Sequence, residues 1–160
     1  MNDAHLHLMV NHFPIVGVVF GFGILISGIY FRNNGIKNTA YSVFIVAAIA
    51  AFLSMYTGEG AEELVEDMPN IGHQIIHEHE EYAEKLALIL YAMGLLSIYG
   101  FYLNVKTHAK ARLLSIIILV IAGVALVFAL KTGKSGGEVR HTEIRDTTTV
   151  SIPVQSPDGD

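Results

Sequence analysis

Four runs of the chain, residues 13–31, 39–56, 86–103 and 113–130, contain no Asp, Glu, Lys or Arg. Each is 18 or 19 residues long. A helix crosses the hydrocarbon core of a bilayer with about 20 apolar residues, over a working range of about 17–25. All four runs qualify, and a water-soluble core in a chain of 160 residues would not supply them. The expected fold is therefore all-α: an integral membrane four-helix bundle running up-down-up-down. Residues 1–146 form the bundle domain, and residues 147–160 form a polar C-terminal tail.

The connections sort by charge. Residues 32–38 and 104–112 join the first to the second run and the third to the fourth. They hold Arg32, Lys37, Lys106, Lys110 and Arg112 and no acid. All fifteen acidic residues lie on the opposite side, with the N-terminus, the long 57–85 connection and the tail. That side also carries Lys85, Lys131, Lys134, Arg140 and Arg145. The positive-inside rule counts Lys and Arg in short loops and gives most weight to the early segments. It puts both basic turns in the cytoplasm and both termini on the extracytoplasmic side of a bacterial inner membrane.

Composition excludes several functions. With no cysteine, there are no disulfides, thiolate metal sites, iron–sulfur clusters or covalently attached haem. A net charge of -5 argues against nucleic-acid binding. Gly17, Gly21 and Gly23 lie inside an apolar run, not between a strand and a helix, so they are no phosphate-cradling motif. They and the alanines of the second and fourth runs read as small residues that let helices approach, with room for a flat macrocycle as a second possibility. Tryptophan is absent, so interfacial anchoring falls to Tyr30, Tyr41, Tyr56, Tyr82 and Tyr102. Thr57-Gly58 and Thr132-Gly133 each follow an apolar run. They read as helix caps with glycine in the left-handed conformation, or as an echo of a duplicated hairpin.

Seven of the eight histidines fall on the acidic side: His5, His7, His12, His73, His77, His79 and His141; only His108 lies in a basic turn. Taken singly, His5, His7 and His108 read as solvated or capping residues. His12 stands at the start of the first run and His79 about two helical turns before the third. In a four-helix bundle these runs are diagonal and parallel, so the two imidazoles can face each other at one depth. That is the arrangement an axially bis-histidine haem b needs. His141 returns to the same side and could replace either ligand or serve a second haem. Arg140, Lys134 and Lys131 are the cations available to haem propionates. His73 and His77 share a helix face, whereas His77 and His79 are about 200° apart, so His79 inward means His77 outward. A transition-metal site of zinc, copper or iron is the rival reading. It would use His12, His73, His77, His79 and His141 with Glu62, Glu63, Glu66, Glu80 and the Glu138-x-x-His141 pair. A cofactor-free structural accessory subunit is the third.

Four stretches carry a resemblance: Asn11-His12-Phe13-Pro14-Ile15, Thr57-Gly58-Glu59-Gly60-Ala61-Glu62-Glu63, His79-Glu80 and Gly136-Gly137-Glu138-Val139-Arg140-His141. Over nearly all of residues 9–143 the chain resembles a family of small four-helix bacterial membrane proteins. The resemblance implies one haem b or two, and picks out His12, His79 and His141. The expected function is that of a membrane b-type cytochrome passing electrons at the periplasmic face. It would act beside a redox protein or as a subunit of a respiratory complex, with electron transfer rather than catalysis as its role.

Overall fold

The computed structural model describes residues 2–65, 73–141 and 144–145, together with the backbone but not the side chains of Val65 and Arg140. The tail at 147–160 and Glu66 lie outside the described residues. The described chain is helical: α1 Asp3–Val10, α2 His12–Tyr30, α3 Asn34–Val65, α4 His73–Val105 and α5 Ala111–Arg140. α1 is capped by Asn2, whose side chain accepts the His5 N–H at 3.1 Å. α1 and α2 are separated only at Asn11, which keeps right-handed helical angles. Pro14 accounts for the break. It has no N–H to give the Val10 carbonyl, and its ring crowds that carbonyl.

Four of these rods are long and apolar enough to cross a membrane, α1 and α2 counting as one. α2 packs on α3 and α5, and α4 also packs on both. Contacts between neighbours run in reversed sequence order. Gly17 lies against Ala47, Gly21 against Phe44 and Gly28 against Lys37, and farther on Gly94 meets Ala48 and Gly100 meets Tyr41. Consecutive rods are therefore antiparallel. The glycines serve close approach: a Cβ on Gly17 would stand 2.7 Å from Ala47 Cβ, and one on Gly28 would stand 2.8 Å from Lys37 N. The interior between them is filled by Val18, Leu25, Tyr41, Phe44, Leu90, Met93 and Ile118, all fully buried. This leaves no slot for a macrocycle in the apolar section.

The outer surface of that section is apolar as well. Phe20, Phe52, Leu95 and Leu130 are all exposed, the last two to 70% and 72%. A surface of this kind suits lipid and not water. Tyr30, Tyr56 and Tyr102 are exposed near its edges, and Lys85 and Lys131 stand over the Tyr82 ring. Tyr41 departs from the expected belt. It is fully buried, and its hydroxyl shares a 2.8 Å hydrogen bond with Ser115 because Gly100 leaves space for its ring.

One further sequence expectation changes. α4 begins at His73, as the shared helix face of His73 and His77 requires, and α3 continues to Val65. The Thr-Gly pairs are not caps: Gly58 and Gly133 lie within α3 and α5, and no described glycine has a positive φ. The left-handed positions fall instead on Arg32 (φ 53°) and Thr107 (φ 49°), in the two basic turns. Each turn closes with the same five-residue backbone bond, Asn33 N–H to Gly28 O and His108 N–H to Leu103 O, both 2.9 Å.

A histidine pair at the polar end of the bundle

α1, the last turns of α3 and α5 and the first turns of α4 continue beyond the apolar runs; with His12 at the start of α2 and His141 just past α5, this end holds seven of the eight histidines. At this end two rings are turned inward and partly buried, those of His7 on α1 and His79 on α4. His7 Nδ1 lies 3.0 Å from the Ser54 carbonyl oxygen, which can only accept, so Nδ1 carries the proton. Thr57 Oγ1 donates to the Leu53 carbonyl at 2.9 Å and stands 3.4 Å from the same nitrogen. His79 Nδ1 lies 3.0 Å from Ser135 Oγ, which donates its own proton to the Thr132 carbonyl at 3.2 Å. His79 Nδ1 must then be the donor as well. Both Nε2 atoms are left with a lone pair, and the bond on the far nitrogen fixes the ring, which is how ligating histidines are held.

Gly136 makes room for the His79 ring, whereas Gly58 only lines that of His7. A Cβ on Gly58 would stand 3.5 Å from His7 Cε1, and one on Gly136 would stand 2.9 Å from His79 Cε1. Burial holds both imidazoles below the ordinary histidine value. For His7 the Ser54 bond opposes that shift and the charge of His12 adds to it. For His79 the charge of His7 adds to it, so the two rings sense each other, and a bond to the Thr132 backbone opposes it. Two buried polar atoms at this end have no partner, Asn11 Oδ1 and Thr132 Oγ1.

The remaining candidate residues lie elsewhere on the same end. His12 is exposed. Helical geometry explains the exchange with His7. His5 and His12 are seven residues apart and share the outer face, while His7 is about 200° from His5. That spacing was the sequence signal for His7. His77 is exposed, with its ring nitrogens 3.8 Å from Glu80 and 3.6 Å from Glu81. His73 is exposed near Glu62. A hydrogen bond with Glu80 raises the Glu62 carboxyl above its usual range, aided by burial and the Glu80 charge. His141 ends α5, exposed, with its N–H on the Gly137 carbonyl at 2.8 Å. Arg140 is the last residue of α5. Lys131 stands over Tyr82 and Lys134 pairs with Glu138 at 3.3 Å. Among the described residues, no group of three or more His, Asp or Glu side chains converges as a metal site.

These features define a class: an all-helical, multi-pass membrane bundle whose rods are long enough to span and whose polar end encloses two imidazoles. No protein-family model matches the chain, and no curated protein or solved structure matches it significantly.

Proposed function

We propose that the chain is a membrane b-type cytochrome and that His7 and His79 would hold its haem. One observation carries the reading. Two neutral imidazoles on different helices, within electrostatic reach of each other, have Nδ1 committed and Nε2 unspent. The donor set fits a haem b, whose iron such nitrogens would hold. It would sit at the polar end, where both rings lie. Bound there, haem b supplies one-electron transfer.

The protein's own part is to hold the rings. Ser54 and Ser135 fix the tautomers, Gly136 admits the His79 ring, and burial keeps both uncharged. Under the charge rule for short loops, the rods run up-down-up-down with both termini and the histidine end outside the cytoplasm of a bacterial inner membrane. Cofactor and partner then meet at the periplasmic face. No second histidine accompanies His108 in the basic turns, so the chain passes electrons sideways, to a periplasmic redox protein or a neighbouring membrane subunit.

A reduced-minus-oxidised spectrum of the purified protein, with a pyridine haemochrome assay, tests the proposal. The expected result is an α-band and at least one haem per chain. A colourless protein holding one zinc, copper or iron ion per chain would assign the imidazole pair to a bare metal. A protein with neither, isolated only with larger subunits, would leave it a structural accessory.

A further inference from the structure

At the opposite end, the two basic turns enclose a cavity of about 250 Å³ lined by Ile29, Arg32, Asn34, Lys37, Arg112 and Ser115. Three of those six side chains are cationic, and none is acidic. Among the described residues, the ion pairs all lie at the other end of the bundle, so these cations have no carboxylate partner. Lys37 is only 7% exposed, its stem against Gly28. Crowding cations around one cavity without a counter-charge is costly, and the cost is offset when an anion completes the site. The cavity is also met by two helix N-termini, at Asn34 of α3 and Arg112 of α5. α5 has no side-chain cap; its Ala111 N–H goes to the His108 carbonyl at 2.9 Å, which leaves the amides of Arg112 and Leu113 in its first turn. Cations and helix N-termini turned on one cavity make an anion site, and guanidinium forks match phosphate oxygens.

We propose that this cavity binds a phosphate group, with Lys37 and Arg112 as its principal contacts and Arg32 at its mouth. The site stands where the apolar surface of the bundle gives way to the basic turns, which is the level of a lipid headgroup. It is separate from the histidine pair and independent of the cytochrome reading.

The test uses the full chain in phosphatidylcholine nanodiscs. Thermal unfolding is followed while phosphatidylglycerol is introduced into the discs or inorganic phosphate is added to the buffer. The midpoint is expected to rise with one of the two. A response to the lipid alone identifies a headgroup, and a response to phosphate identifies a free anion. Arg112→Gln is expected to weaken the response about tenfold, as loss of a charge-assisted bidentate contact would. Lys37→Gln should do the same and keeps most of the stem. Should Lys37→Gln fail to fold, Arg112→Gln and Arg32→Gln carry the test. Lys106→Gln removes an exposed cation from the same end, outside the cavity lining, and should leave the response unchanged. The proposal is overturned if neither probe shifts the midpoint, if Arg112→Gln responds like the native protein, or if Lys106→Gln loses as much as Arg112→Gln.

Discussion

The two ends of this bundle solve opposite problems. At the basic end the rods stop as soon as their apolar runs stop, and the chain turns back within a few residues. Backbones there are in close contact at Gly28, and charge of one sign gathers around a cavity. At the other end the rods continue as helix past the apolar section, acids and histidines mix, and glycine makes room for rings instead of backbones. Side-chain hydrogen bonds join rods at both ends, Tyr41 to Ser115 and Asn104 to Asn38 at the basic one, but only that end is also closed by short turns. The lesson is that the same small residue, inside helices of the same sheath, serves packing at one end and a site at the other.

The largest effect that would break this contrast concerns the imidazoles. His7→Ala and His79→Ala should each abolish the haem α-band, while His12→Ala and His77→Ala should keep it. Loss in His12→Ala with retention in His7→Ala would sink the assignment of the pair. Next come the glycines. Gly28→Ala would push a methyl group into Lys37 N, and overpacking of that kind costs about 1–3 kcal/mol. Gly58→Ala meets only ordinary contacts, at 3.5 Å and beyond. It should be neutral or gain up to about 1 kcal/mol of helix propensity. Unfolding midpoints of the two variants, compared side by side, decide whether the ends differ as described.

A third effect, read in the haem-free protein, is pH dependence on the acid side arising at the polar end. His7 and His79 have folded values below 6.5, so above 6.5 both states are neutral there and burial carries no proton penalty. As pH falls through 6.5 the unfolded chain takes up protons first, and stability is lost. Glu62 has the opposite sign: its raised value gives stability that is present below 4.5 and disappears as pH rises through the folded value. Between those limits the histidines make the protein weaken on acidification. A His7→Gln/His79→Gln double variant should flatten that slope, and an unchanged slope would place its origin elsewhere. The smallest effect lies in the turns. Thr107 is β-branched and left-handed, so Thr107→Gly should stabilise by about 1 kcal/mol.

Much of the fold was legible because bilayer thickness turns a count of uncharged residues into a helix. The four spans needed nothing more. The extent of the helices was less legible. Residues 57–65, 73–85 and 131–140 are polar and glycine-bearing, and local propensity reads Thr57-Gly58 as an ending where tertiary packing continues the helix. His79 could be read from its angle to His77. The inward turn of His7 was less legible, since adjacency to the apolar run favours His12 and only the angle that groups His12 with the exposed His5 sets His7 apart. Tyr41 was misjudged for a related reason: position near a span end says nothing about whether Gly100 opposite leaves room for a ring. The cationic cavity was invisible as such, since it joins residues from two turns some seventy positions apart.

The helical overshoot at the polar end has a mechanical consequence. α4 rises thirteen residues from His73 before its uncharged run begins at Leu86, about 20 Å at 1.5 Å per residue. His79 therefore rides on a stalk above the lipid, near half that height. A thicker or thinner membrane is met by tilting the rods beneath. The stalk leans with them as a unit, so the spacing of the two rings is insulated from the bilayer that carries them.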